Sequence, residues 1–243
     1  MSTLNHQPPT ALVTGATSGL GKEIAVRLAR DGMNVVVVGR DAARGAAVVE
    51  QIEAAGGDAR FIAADLSDPA AIRNLAEQVG DIDVLVNNAG LSVWAPTEAM
   101  NVADFDSMFA SNVRAPFLLV GAFAPAMAKR GGGSIINISS MAGRIGLPSG
   151  AADGATKAAL DSMTQSWTAE YSPRGVRVNA IAAGPIYTRP KTRARTDELG
   201  ATTALRRAGG PEEIAEVVAF LASSRASYVT GAIVAADGGR TAI

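Results

Sequence analysis

Short apolar runs alternate with longer amphipathic stretches along the whole chain. Ala11-Leu-Val-Thr14 is a β-forming run that leads directly into Thr14-Gly-Ala-Thr-Ser-Gly-Leu-Gly21, after which Ile24, Leu28 and Ala29 fall at helical spacing. Asn34-Val-Val-Val-Val-Gly39 is apolar throughout, the pattern of a strand buried on both faces. A helix over about 42–55, a strand over 59–63 and a helix capped by Ser67/Asp68, with Pro69 in its first turn, come next. Residues 82–86 read as a fourth strand ending in Asn87-Asn-Ala-Gly90, and 103–129 as a long helix bent near Pro116 and Pro125. Residues 133–140 form a fifth strand that ends on Ser140.

Pro148 and Gly150 then break the chain, and an alanine-rich helix begins that carries Asp153 and Lys157 one turn apart and runs to about 171. A strand at 177–181, a long loop from Gly184 through the polar segment to 199, a helix from Pro211 to about 222 and a last strand at 232–236 complete the pattern. Strands alternating with helices over the full length predict an α/β fold, a parallel sheet with helices on both faces and ligands at the strand carboxyl ends. The expected organisation is a polar tail over 1–10 and a single domain over 11–243.

Composition narrows the function classes. Twenty-two Lys plus Arg against 23 Asp plus Glu give a formal charge of −1, which argues against a dedicated nucleic-acid binder. Zero cysteines remove disulfides, thiolate catalysis and cysteine metal sites, and the single histidine, His6, lies in the polar tail, so no metal centre is expected. The start lacks a charged leader with an apolar core, and no apolar run is expected to reach the about eighteen residues of a membrane helix. A soluble, cytoplasmic protein with no membrane or nucleic-acid partner is the resulting expectation.

The junction of the first strand and helix carries the clearest chemistry. Glycines let the backbone turn tightly and approach a diphosphate, and the helix N-terminus offers unpaired N–H groups to the anion, so Gly15, Thr17, Ser18, Gly19, Leu20 and Gly21 are candidate cofactor-binding residues. In such a site an acidic residue after the second strand bonds the ribose hydroxyls of NAD. Here Gly39-Arg40 stands instead, and Arg40 suits a 2′-phosphate, favouring NADP over NAD.

Taken together, Thr14–Gly21, Asn87-Asn-Ala-Gly90, Asn112, Ser140 and Lys157 make the chain, from about 11 to 239, resemble the classical short-chain dehydrogenase/reductase family, including its 3-oxoacyl carrier protein reductases and glucose dehydrogenases. The resemblance implies a Rossmann doubly wound seven-stranded parallel sheet, hydride transfer from C4 of a nicotinamide to or from an alcohol or ketone, and a homotetramer packed through two long central helices. It also implies that Asp65 and Leu66 flank the adenine, that Asn88, Ala89 and Gly90 line the adenosine side, and that Gly184, Ile186 and Thr188 hold the carboxamide. Residues over about 185–205 would form a substrate lid. Asn112, Ser140 and Lys157 sit where the family places catalytic residues, and Trp94, with Val93, is a candidate wall of the substrate pocket.

The family's tyrosine, four residues before the lysine, is here Asp153. A carboxyl starts with a pKa of about 4, and a neighbouring ammonium is expected to push it lower, leaving no proton to give at neutral pH. Aspartate is also about 4 Å shorter than tyrosine, so a water would have to bridge to the substrate. Losing a positioned acid costs about 10²–10⁴-fold in rate. An Asp153–Lys157 pair would moreover neutralise the ammonium, and Tyr187 is the one tyrosine placed to act as a substitute acid. Three readings stand: an oxidoreductase impaired or altered at this position, a non-catalytic NADP-binding relative, and a lyase or isomerase using Asp153 as a base. Arg189, Lys191, Arg193 and Arg195 place four cations in the lid, read as a solvated charged loop in preference to an anionic-substrate contact.

Overall fold

Seven parallel strands build one sheet in the order β3-β2-β1-β4-β5-β6-β7 in the computed structural model, which describes residues 8–188 and 192–243. The strands are β1 (Thr10–Thr14), β2 (Asn34–Gly39), β3 (Asp58–Ala63), β4 (Val84–Asn87), β5 (Gly133–Ser140), β6 (Val176–Ala183) and β7 (Ile233–Ala236). The helices are α1 (Gly19–Arg30), α2 (Ala42–Ala54), α3 (Pro69–Val79), α4 (Val102–Phe109), α5 (Ala115–Lys129), α6 (Ala151–Tyr171), α7 (Arg193–Gly200) and α8 (Pro211–Ala222). Strands β1, β2 and β4 are buried nearly throughout, as their uninterrupted Val and Leu runs require, whereas edge strand β3 alternates buried and exposed positions.

Two apolar layers sandwich the sheet. On one face Ile24 and Leu28 of α1, Val48 and Ile52 of α2 and Ile214 and Val218 of α8 pack onto the strands. On the other, Ile72 and Leu75 of α3, Leu119, Phe123 and Met127 of α5 and Leu160 and Trp167 of α6 do the same. Burying each Leu, Ile or Val side chain is worth about 1.5–3 kcal/mol, so these layers hold the strand ends in fixed relation. The doubly wound seven-stranded sheet anticipated from the sequence is present.

Two local expectations change. The helix expected over 103–129 is interrupted by a π-helical turn, Ala110–Arg114, between α4 and α5. Pro116 has no N–H to give the carbonyl four residues back, and Ala115 N–H instead reaches Ala110. Pro125 sits inside α5 without ending it. By length and composition Val102–Lys129 matches a membrane span (mean hydropathy 1.2), contrary to the expectation that no stretch would, yet Met108, Leu119, Val120, Phe123 and Met127 are buried in the protein's own core. Second, the polar segment expected as loop to 199 contains α7. Polarity concealed this helix: it lies on the surface and buries only Thr196 and Gly200, the latter so close to Ala208 that an added Cβ would sit 2.3 Å from its nitrogen. His6 and most of the expected tail, with lid cations Arg189 and Lys191, lie outside the described residues.

Candidate active site

The chain reverses direction across the sheet between β1 and β4, and the residues singled out by sequence converge on the carboxyl ends of the strands around that point. The β1–α1 turn is held by a buried brace. Thr14 Oγ donates to Val86 O (3.1 Å) and accepts from the N–H groups of Asn88 (2.9 Å) and Ala89 (3.0 Å). Asn88 Nδ2 in turn donates to Thr14 O (2.8 Å) and more weakly to Gly15 O (3.3 Å). Gly15 has φ 64°, and a Cβ there would lie 2.9 Å from Ala89 Cα; at Gly21 it would lie 2.4 Å from both Asn88 Nδ2 and Gly15 O. Only glycine fits this close crossing of backbone. Ser18, the N-cap of α1, makes no side-chain cap bond, and the first-turn N–H groups of α1 before Lys22 point from the helix end. Gly19 lies beside Thr188, whose carbonyl oxygen would be 3.2 Å from an added Cβ, so the 184–188 segment passes over this helix end.

Arg40 is exposed at the end of β2, where Gly39 leaves room for the Thr17 side chain. Asp65, at the end of β3, accepts from the N–H (3.0 Å) and hydroxyl (2.8 Å) of Ser67. Those bonds, and more distantly Arg40, hold its carboxyl below the usual aspartate value. Leu66 beside it is buried. Gly90 borders Asn112 and the Lys157 ammonium, while Gly184 packs on Asp237 and Ile186 bridges in parallel to Gly209.

Helix α6 and strand β5 bring Ser140, Asp153 and Lys157 together. Close packing on the 141–143 turn fixes them: Cβ atoms on Gly154 and Gly143 would lie 2.5 Å from Ala142 O and 2.9 Å from Ala158 N. Ser140 Oγ accepts from Ala142 N–H (3.1 Å), which leaves its own hydrogen available. Lys157 Nζ donates to Ile138 O at 3.0 Å, and burial pushes its pKa below the ordinary ammonium value, against the pull of Asp153 and Asp161.

Asp153 corrects two expectations. It forms no ion pair within 4.0 Å of Lys157. Its side chain is 4% exposed and its Oδ1 has no hydrogen-bond partner. Burial therefore raises its pKa above the usual carboxylate range, with the Lys157 charge and a hydrogen bond with Ser92 pulling the other way. The sequence placed a cation at i+4 and so pointed to a lowered value. Desolvation outweighs it because the residue is almost wholly buried.

Three residues missed from sequence complete the surroundings. Ser92 bonds both Asp153 and, at 2.8 Å, Trp94 Nε1. The Trp94 ring rests on Gly150, where an added Cβ would be 2.7 Å away, and carries the Arg195 guanidinium at 4.4 Å, so Trp94 ties the start of α6 to α7. Thr156 Oγ accepts from Asn112 Nδ2 (3.0 Å) and donates to Asp153 O (2.7 Å). Asp161, one turn beyond Lys157, also has its carboxyl pKa raised by burial, with a Ser139 bond opposing. Its i, i+4, i+8 spacing with Asp153 and Lys157 was the available signal.

Asn112 braces the loop after Gly90. Its Oδ1 accepts from Leu91 N–H (2.8 Å), and its Nδ2 donates to Leu91 O (2.8 Å) as well as to Thr156. Tyr187 is likewise engaged: its hydroxyl bonds Asp197 and Arg193 lies 4.9 Å over its ring, so it offers no substitute acid to Asp153. Among the described residues no cluster of His, Asp and Glu is arranged for a metal ion.

Residues 9–199 match the family model described as short chain dehydrogenase. The chain is 38% identical over 239 residues to the 3-oxoacyl-acyl-carrier-protein reductase FabG of Staphylococcus aureus, covering 95% of this chain and 97% of that one. A solved short chain dehydrogenase/reductase family protein superposes with TM-score 0.92 at 48% identity, over 97% of this chain and 98% of the other. A blue fluorescent protein from a metagenomic library, solved in complex with NADPH, gives 0.90 at 38% identity over 98% and 99%.

Proposed function

The chain belongs to the short chain dehydrogenase family and is an NAD(P)-dependent oxidoreductase of that family, and on that premise we propose that it uses NADP and works with Asp153 in the place of a proton donor. The observation that carries the cofactor reading is the cradle at the β1–α1 turn, where Gly15 and Gly21 leave room only for backbone and the helix end is uncapped by Ser18. Bound there, the nicotinamide supplies hydride chemistry at its C4.

The chain's own residues divide the remaining work. Gly15, Thr17, Ser18, Gly19, Leu20 and Gly21 hold the diphosphate through backbone N–H groups, and exposed Arg40 pairs with a 2′-phosphate. Asp65 and Leu66 flank the adenine, and Ala89 and Gly90 line the adenosine side with Asn88 bracing behind them. Gly184, Ile186 and Thr188 orient the carboxamide. Lys157 binds the ribose from its position on Ile138 O, and the Ser140 hydroxyl donates to the substrate oxygen. Asn112 positions the loop after Gly90 and the start of α6, and Trp94 walls the substrate side under a lid over about 185–205.

With no phenol at position 153, reduction of a ketone to its alcohol is slowed, by about 10²–10⁴-fold relative to a site with a positioned acid. The homotetramer reading rests on the family's packing through two long central helices, for which α5 and α6 are the long helices of this chain. Calorimetry with NADPH and NADH, on the chain and on Arg40→Ala, tests the cofactor reading. NADPH is expected to bind more tightly, and the substitution to weaken NADPH by about tenfold or more while leaving NADH unchanged. Equal affinities in the unsubstituted chain would overturn the NADP preference. NADPH oxidation across a carbonyl panel should rise in Asp153→Tyr, and no rise would refute the damaged-donor account.

A further inference from the structure

We infer that the substrate best matched to this site is a cationic carbon–nitrogen double bond, an iminium ion, which Asp153 receives as a counter-ion. This deepens the oxidoreductase reading and rests on it. The inference starts from what the site lacks and what it offers. Asp153 Oδ1 is buried without a partner, on a residue only 4% exposed. Lys157 does not quench it by contact, because its ammonium is turned onto Ile138 O at 3.0 Å. The one tyrosine near the cofactor segment has its hydroxyl committed to Asp197.

A carbonyl substrate makes two demands on such a site, a hydride on carbon and a proton on oxygen. An iminium ion makes only the first. Hydride from the nicotinamide forms the new C–H bond, the C=N π pair becomes the nitrogen lone pair, the nicotinamide is oxidised and the iminium reduced to a neutral amine. No proton is consumed, because the substrate nitrogen already carries one. What the protein must supply is an acceptor for that N–H and a negative charge where the cation sits before reaction. An orphaned buried carboxylate oxygen is that group, since an unpaired buried charge is costly and a bound cation removes the cost. A ketone oxygen, itself an acceptor, satisfies nothing on the ionised Asp153 carboxylate.

Aspartate ends about 4 Å short of the place a phenolic oxygen would reach, so a substituted nitrogen that pairs with Oδ1 must displace the groups that bury it. Ser92, which bonds Asp153 and Trp94, keeps the carboxyl aimed from α6 and leaves Oδ1 as the free atom.

The test pairs 2-methyl-1-pyrroline with cyclopentanone as substrates for NADPH oxidation, and measures pyrrolidine binding without cofactor by calorimetry. Each is done with the chain, Asp153→Asn and Asp153→Tyr. The inference predicts a kcat/KM for the imine at least about tenfold above the ketone, a loss of about 30-fold in imine turnover and in pyrrolidine affinity in Asp153→Asn, and reversal of the preference in Asp153→Tyr. Asp153→Ser, with circular dichroism and melting on all variants, serves should Asp153→Asn misfold. NADPH binding with the ketone preferred, or pyrrolidine affinity unchanged in Asp153→Asn, overturns the inference alone. Failure of NADPH to bind overturns it together with the oxidoreductase reading.

Discussion

Replacing Asn112 with alanine should cost stability in a calculable way. The side chain is 1% exposed and makes three hydrogen bonds, at 2.8 and 2.8 Å to the Leu91 main chain and 3.0 Å to Thr156 Oγ. Each such bond contributes about 1 kcal/mol net, and a buried group left unpaired costs more. Thr156 is fully buried but keeps its bond to Asp153 O, whereas the Leu91 groups, on a residue 39% exposed, regain water in part. The sum is about 2–4 kcal/mol. For a domain of this size 1 kcal/mol lowers Tm by about 2–4 °C, so Asn112→Ala should melt roughly 4–16 °C below the unsubstituted chain. Urea titration should show a lower midpoint with an unchanged slope. Asn112→Asp, which retains an acceptor for Leu91 N–H and loses both donors, should not recover the loss. A loss under about 0.5 kcal/mol, the level of an exposed surface substitution, would refute the bracing role drawn from these three bonds.

Other outcomes follow from the same geometry. Gly21→Ala should destabilise by about 1–3 kcal/mol and weaken NADPH binding, because the added Cβ meets Asn88 Nδ2 and Gly15 O at 2.4 Å; an unshifted melt would contradict the close crossing. Burial raises the folded pKa of Asp153, so its contribution to stability is present below the unfolded value of about 3.9 and is lost as pH rises through the folded value. Asp153→Asn should therefore melt higher than the unsubstituted chain at pH 8 and level with it near pH 3, the reverse ordering ruling out desolvation as the dominant cause. Glu213 is the opposite case: Arg207 and the Gly210 N–H hold its pKa down to about 2, so its support is present above its unfolded value and fades as pH falls towards about 2. Glu213→Gln should cost about 1 kcal/mol or less at pH 7, the pair being exposed, and progressively less as pH falls through about 2.

Much of this architecture is written in local pattern. The Val run of β2, the strand–glycine–helix order at 10–30 and the ordered motifs at 87–90, 140 and 157 each predict position as well as type, since a parallel sheet brings strand carboxyl ends to one edge. What pattern does not carry is burial contributed from elsewhere in the chain. The i+4 lysine points to a depressed Asp153, but burial of the residue outweighs that charge and the Ser92 bond and reverses the direction. Motif order places Asn112 at the site, and only the position of Leu91 reveals that its amide also bonds that residue's main-chain groups. Helix α7 was hidden because a surface helix that buries two small residues shows no apolar stripe.

The most direct measurement of the central claim follows deuterium from NADPH labelled at nicotinamide C4 into product by mass spectrometry. With 2-methyl-1-pyrroline the chain should place deuterium on the former imine carbon, and Asp153→Tyr should place it on the carbinol carbon of cyclopentanol. Absence of label from both products, with NADPH bound, would contradict a hydride-transferring site built around Ser140, Asp153 and Lys157.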